Sequence, residues 1–218
     1  MKVLIACEFS GTVRDAFIER GHDAVSCDLL PSLSDKGPHY QGDVFDIIGA
    51  ENWQLMIAHP PCTYLTTAGN AHFANNPERC RLREEAFDFA MRLFNAPIPK
   101  ICMENPQGYI NSHFRKPDQT IEPYFFGDNE VKRTCLWLKG LPKLYWTIPN
   151  AQKPSPKYYR KSGQNKGKKI YFTEATGSAK HNRGLEQWQL RSKTFEGIAA
   201  AMAEQWGTEK THYFFEDY

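Results

Sequence analysis

The sequence predicts an α/β fold with a doubly wound, mostly parallel sheet, and three observations predict it. Short, continuously apolar runs recur at Lys2–Cys7, Ala24–Cys27, Leu55–Ala58 and Lys100–Met103, as strands buried on both faces require. Stretches with helical apolar spacing fall between them. The first strand, turn, helix and second strand fit within Lys2–Asp28, the opening β-loop-α-β unit of such a sheet.

The first strand closes at a turn containing Phe9-Ser10-Gly11. The spacing of Val13, Ala16 and Phe17 predicts a helix over Thr12–Arg20, with Gly21 as its C-cap. Ala24–Cys27 follows as a strand ending at Asp28. Leu55–Ala58 is another, and Ala86, Phe89, Ala90 and Leu93 predict a helix over Pro77–Phe94. Further strands are expected at Lys100–Met103 and Cys135–Leu138, and a last helix at Phe195–Trp206. Residues 1–142 and 186–207 make up the expected catalytic α/β domain, 143–185 a basic aromatic insertion, and 208–218 a tail. No internal repeat interrupts this plan.

A chain of 218 residues with 41% hydrophobic and 24% charged residues has the composition of a soluble globular domain. It carries no long apolar stretch and no signal-type opening, so a cytoplasmic location is expected, with no membrane contact. Its six cysteines form no CxxC pair, which argues against zinc ribbons and redox motifs. Net charge is only +2, but its distribution is uneven. Between Lys143 and Arg183 ten Lys/Arg face a single acid, Glu174, with Tyr145, Trp146, Tyr158, Tyr159, Tyr171 and Phe172 interleaved. Such a segment can hold phosphates and stack bases; its bland alternative is a solvated loop.

Two loops carry the chemistry. His59-Pro60-Pro61-Cys62 follows one apolar run and Glu104-Asn105-Pro106 follows another, so a thiol and a carboxylate can meet over one substrate. That pairing suits a pyrimidine, with thiolate adding to C6 while the carboxyl group holds the N3/N4 edge. The prolines fix the backbone before Cys62, and Thr63, Tyr64, Thr66 and Thr67 follow it, unlike the surroundings of a buried structural cysteine. A zinc deaminase would need a second cysteine two residues further on, where Tyr64 and Leu65 stand. His59 reads as a structural hydrogen-bonder, with activation of the thiol as the alternative. Gly11 lets backbone approach a ligand at the first turn, and the helix start behind it favours negative charge. Asp28 stands where an acid takes the ribose of a nucleoside cofactor, and Asp43 follows in the next turn; each alone could be a capping aspartate.

In this order the residues resemble the cytosine-C5 methyltransferases that use S-adenosylmethionine. Phe9-Ser10-Gly11 is similar to their F-x-G cofactor turn, Asp28 to the ribose-binding acid and Gly42-Asp43-Val44 to the adenine-binding aspartate motif. His59-Pro60-Pro61-Cys62 resembles the PPC nucleophile loop and Glu104-Asn105-Pro106 the ENV loop. Lys132-Arg133 stands in for the arginine on the pyrimidine O2, without the usual Q-x-R, and the helix near Thr194 resembles the closing segment. Met1–Leu30, Ala58–Asn70, Glu104–Gly108 and Arg191–Gly207 look like the short, stand-alone bacteriophage proteins of this type. The chain departs from the pattern near Val13, where a second glycine is replaced, at PPCT in place of PPCQ, and in lacking a large target-recognition domain.

The resemblance implies a sheet of the class I S-adenosylmethionine-dependent methyltransferase type and transfer of a methyl group to C5 of cytosine in DNA, duplex or single-stranded. It implies Cys62, Glu104 and Arg133 in catalysis. It implies Phe9, Ser10, Gly11, Asp28, Leu29, Asp43, Val44, Pro61 and Thr194 around S-adenosyl-L-methionine. Pro60, Asn105, Lys132, Tyr158, Arg160, Lys168 and Arg191 would serve the nucleic acid. The rival readings are modification of dCMP, dUMP or transfer RNA by similar cysteine chemistry, and a degenerate fold that only binds nucleic acid.

Overall fold

Strand β1 (Lys2–Ala6) runs near the middle of a seven-stranded sheet whose order is β3-β2-β1-β4-β5-β7-β6. The computed structural model describes residues 1–67, 73, 75–160, 163–171 and 192–208. Strands β2 (Asp23–Asp28), β3 (His39–Gln41), β4 (Leu55–Ala58) and β5 (Lys100–Asn105) pair in parallel around β1. Strand β7 (Thr134–Lys139) runs antiparallel to both β5 and β6 (Gln119–Ile121). The chain builds outward from β1 to β3, then returns to β4 and builds the other way. The sheet is therefore doubly wound and mostly parallel, the architecture expected from the sequence.

Period-two alternation within strands buried on both faces divides the core. Val3, Ile5, Leu55 and Ile57 face α1 (Thr12–Ile18) and α5 (Glu196–Gly207), where Val13, Phe17, Ile198, Met202 and Trp206 pack. Leu4, Ala6, Met56 and Ala58 face the other way, toward α2 (Val44–Ile48), α3 (Pro77–Phe94) and α4 (Tyr109–His113). Among the described residues no helix is long and apolar enough to cross a membrane.

The expected strand and helix cores are present, with shifted ends. Helix α1 stops at Ile18, before the expected Arg20. Gly21, at φ 79°, donates its N–H to the Ile18 carbonyl, while His22 N–H reaches back to Phe17, a Schellman closure. Helix α3 has the expected bounds; its N-cap Asn76 accepts from Arg79 N–H at 3.0 Å and Pro77 opens its first turn. Strand β5 continues past Met103, so Glu104 and Asn105 lie within the strand and are not in a loop after it. Elements the sequence did not disclose are β3, β6, α2, α4 and a 3-10 turn over Pro123–Phe126. Within the basic segment, β8 (Tyr158–Tyr159) and β9 (Lys169–Ile170) pair antiparallel, and Leu144 and Trp146 pack on the α5 side of the core.

Trp206 is 2% exposed and donates its indole N–H to Pro142 O at 3.0 Å, closing α5 onto the sheet. Trp206→Ala is expected to cost about 3–5 kcal/mol of unfolding free energy. Denaturant titration measures it; a loss below about 1 kcal/mol would mean that the α1/α5 layer adds little to the fold.

Candidate functional site

Between β1 and β4 the winding of the sheet reverses, and the crevice at the carboxyl ends of these strands is where open α/β sheets take ligands. The first wall is the turn after β1. Cys7 leaves the strand at φ 59°, in a region costly for a residue with a side chain. Phe9 and Ser10 are each 6% exposed, and Gly11 sits at φ 77°. A Cβ on Gly11 would lie 2.6 Å from the Arg14 guanidinium and 2.8 Å from Ser34 Cβ, so only glycine fits this turn.

The start of α1 corrects one expectation. It is not open to a ligand's negative charge, because Glu8 already occupies it. The Glu8 carboxylate accepts from Val13 N–H at 2.7 Å, Arg14 N–H at 3.3 Å and the Ser10 hydroxyl at 3.1 Å. Arg14, fully buried, is the other group the sequence reading missed. Its guanidinium pairs with Asp15 at 2.7 Å and donates to Ser26 Oγ, Ser32 Oγ and Ser34 O, tying the 30–38 segment to the first turn. No sequence signal announces this, since an arginine in a helix reads as solvated until its distant acceptors are known.

Asp28 ends β2 and accepts from Leu30 N–H at 3.0 Å; Leu29 beside it is 74% exposed. Asp43 caps α2 through Phe45 N–H at 2.9 Å, while Val44 is buried. Both aspartates therefore do act as turn or capping acids. A carboxylate has acceptor sites for about four hydrogen bonds, so these backbone contacts leave room for hydroxyl or amine donors. Burial, reinforced by the Asp28 and Asp43 charges, pushes the Cys27 thiol up to about 12 and the Cys7 thiol well above its ordinary range. Burial also raises Cys102 and Cys135.

The second wall is built from the ends of β4 and β5. His59 N–H donates to Ala6 O at 2.9 Å, which fixes the start of the His59–Cys62 loop against β1. Pro60 is buried while Pro61 and Cys62 are exposed. Asn105, 2% exposed, donates from Nδ2 to Pro60 O at 2.8 Å. Tyr109 N–H reaches Leu65 O at 2.7 Å, and Thr66 bridges to Gly108. At Gly108 a Cβ would lie 1.8 Å from Leu65 O, so the two loops can approach this closely only over glycine. The cysteine loop and the Glu104-Asn105-Pro106 segment thus form one unit.

Inside that unit His59 Nδ1 lies 2.8 Å from Glu104 Oε2, with side-chain exposures of 13% and 12%. Thr194, 8% exposed before α5, donates its hydroxyl to the same oxygen at 3.4 Å. Burial opposes the Glu104 charge, but the His59 hydrogen bond and charge, then the Lys132 ammonium and Thr194, hold the carboxyl well below its usual range. For His59, burial opposes the charge and Lys132 repels it. The Glu104 bond and charge, aided by Glu8, outweigh both and raise its pKa. Because the Glu104 carboxyl is held ionised, His59 Nδ1–H is the donor of this hydrogen bond.

Pro60, Pro61, Cys62, Glu104, Asn105, Lys132 and Thr194 are thus gathered at one end of the sheet, with Phe9, Ser10 and Gly11 at the neighbouring β1 turn. Asp28, Leu29, Asp43 and Val44 line the next turns along the same edge. Arg133 is exposed, and its charge acts on Glu122 and Cys135, whereas that of Lys132 acts on Glu104 and His59. Tyr158 belongs to β8, and Arg160 and Lys168 close its hairpin, Arg160 N–H donating to Lys168 O at 3.0 Å. Arg191 lies outside the described residues.

The ion pair gives a pH dependence of definite sign. The lowered Glu104 pKa contributes stability above the ordinary value of 4.5, lost as pH falls through the folded value. The raised His59 pKa contributes below the ordinary value of 6.5, lost as pH rises through the folded value. The stability gap between wild type and Glu104→Gln should therefore be widest between pH 4.5 and 6.5 and narrow on both sides. Denaturant unfolding across pH measures it, and a gap independent of pH would contradict the charged pair.

No protein-family model and no curated protein matches the chain. Among solved structures it is similar to a candidate DNA modification methyltransferase encoded within a prophage, from E. coli, with 12% identity and a TM-score of 0.42. That alignment covers 63% of this chain and 46% of the other, so the chain matches about half the length of that protein.

Proposed function

We propose that the protein transfers a methyl group from S-adenosylmethionine to C5 of cytosine in DNA, through a covalent bond between Cys62 Sγ and C6. The observation that carries this reading is the union of the cysteine loop with the His59–Glu104 pair beside the glycine turn of β1. Four other thiols are held protonated by burial, while Cys62 and Cys80 are exposed, Cys62 in the loop that follows β4.

The residues present fit the methyl donor. Asp28 and Asp43 retain acceptor capacity for the ribose hydroxyls and the adenine amino group. Glu8, neutralising the start of α1, suits a ligand that carries a sulfonium cation better than one that presents an anion there. Phe9, Ser10, Leu29, Val44, Pro61 and Thr194 complete the proposed cofactor surface. When bound, S-adenosylmethionine supplies an electrophilic methyl group.

The chain's own residues prepare the acceptor. Cys62 as thiolate adds to C6, and C5 becomes nucleophilic as electron density moves into the ring. Glu104 takes the N3/N4 edge, and Lys132 with Arg133 serves the O2 side. Asn105 and Pro60 hold the loop in register. A base then removes the C5 proton and the Sγ–C6 bond breaks.

A cytosine in duplex DNA must leave the stack to reach this crevice. The β8–β9 hairpin, with Tyr158 43% exposed beside Arg160 and Lys168, offers stacking and phosphate contacts, and Arg191 would add another. So small a recognition surface favours short or relaxed sequence preference and binding that weakens steeply with salt.

Cys62→Ala is expected to abolish transfer of labelled methyl groups to DNA cytosine while S-adenosylmethionine binding, by isothermal titration, stays within a few-fold of wild type. Loss of binding in that variant, or transfer that survives it, would contradict the assignment.

A further inference from the structure

We propose that His59 holds the proton delivered to N3 of the pyrimidine, passing it through Glu104, so that addition of Cys62 draws on a two-residue relay spanning β4 and β5. This inference rests on the reading of the crevice as a site for pyrimidine-C5 chemistry.

An ionised carboxylate can accept a hydrogen bond from the N4 amino group, but it has no proton to give. Yet thiolate addition to C6 builds negative charge at N3, and a bare carboxylate beside it would oppose that charge. Glu104 is held ionised, so the missing proton must come from behind it. His59 is placed there: its Nδ1 lies 2.8 Å from Glu104 Oε2, and both side chains are about nine-tenths buried. Its other ring nitrogen, Nε2, is buried without a hydrogen-bond partner among the described residues, so the ring's hydrogen bonding is directed at Glu104. The charged groups that act on the ring are Glu104 from β5, Glu8 from the β1 turn and Lys132 from the segment before β7. The two acids favour the imidazolium and the lysine limits how tightly its proton is kept.

The step balances. The Cys62 Sγ–C6 bond forms, the C5–C6 π electrons enter the ring, and N3 takes a proton from the Glu104 carboxyl. Glu104 recovers that proton from His59 Nδ1, leaving a neutral imidazole. When the C5 proton is lost and the Sγ–C6 bond breaks, the N3 proton returns through Glu104 to His59. His59 does not touch the base and is a positioning residue that also stores a proton.

The test separates storage from orientation. His59→Asn can still donate an N–H toward Glu104 but has no proton to transfer. Two rates are followed against pH: methyl transfer, and Cys62-dependent release of tritium from DNA carrying 5-tritiated cytosine. Wild type should lose rate as pH rises through the His59 pKa. The Asn variant should be slower by about a hundredfold in both assays and lack that limb. An Asn variant within a few-fold of wild type, with the same pH profile, would reduce His59 to orientation and overturn the relay. If wild type itself gives neither transfer nor Cys62-dependent release, the C5 reading fails and the relay with it. Should the Asn variant not fold, NMR titration of wild type and Glu104→Gln decides. The relay predicts a His59 pKa above 6.5 in wild type that falls in Glu104→Gln, and an unmoved titration overturns it.

Discussion

The contact between His59 Nδ1 and Glu104 Oε2 joins the ends of two adjacent parallel strands, and the rest of the candidate site depends on it. Two charges this deeply buried tolerate little slack, because either one left alone would cost several kcal/mol. The loops they start are then locked again by Asn105 on Pro60 and by the Gly108 approach to Leu65. Cys62 emerges beside this clamp exposed, and its carbonyl accepts from Leu65 N–H and Thr66 N–H at 3.0 Å.

Along the same edge, Glu8 and Arg14 do for the β1 turn what His59 and Glu104 do for the cysteine loop. Glu8 ties Ser10 and the start of α1 together, and Arg14 reaches across to Ser26, Ser32 and Ser34. Glu8 also acts electrostatically on His59, so the two halves of the crevice share one charge network. It follows that the proposed cofactor surface and the proposed nucleophile loop are not independent modules.

Much of the fold was legible from the chain alone, because parallel strands buried on both faces need unbroken apolar runs such as Leu55–Ala58. Helix α3 was legible because Ala86, Phe89, Ala90 and Leu93 recur at helical spacing. His39–Gln41 and Gln119–Ile121 were not, since strands of three residues show no apolar run or alternation long enough to read and take their structure from the neighbour they pair with. The prominence of Cys62 and Glu104 could be read from the apolar runs and prolines that flank them. Glu104's partner could not, because His59 lies 45 residues away and only strand register brings them together. Glu8 and Arg14 stayed hidden for the same reason: a charge in sequence looks solvated until the groups that satisfy it are in place.

The central claim is the covalent bond between Cys62 and C6 of a cytosine, and a trap for that bond tests it most directly. DNA carrying 5-fluorocytosine cannot release a C5 proton after methyl transfer, so the adduct should persist. Mass spectrometry of the protein incubated with this DNA and S-adenosylmethionine should find the nucleotide on Cys62, with the methyl group added. An intact, unmodified Cys62, with methyl transfer still proceeding on ordinary cytosine DNA, would contradict the account.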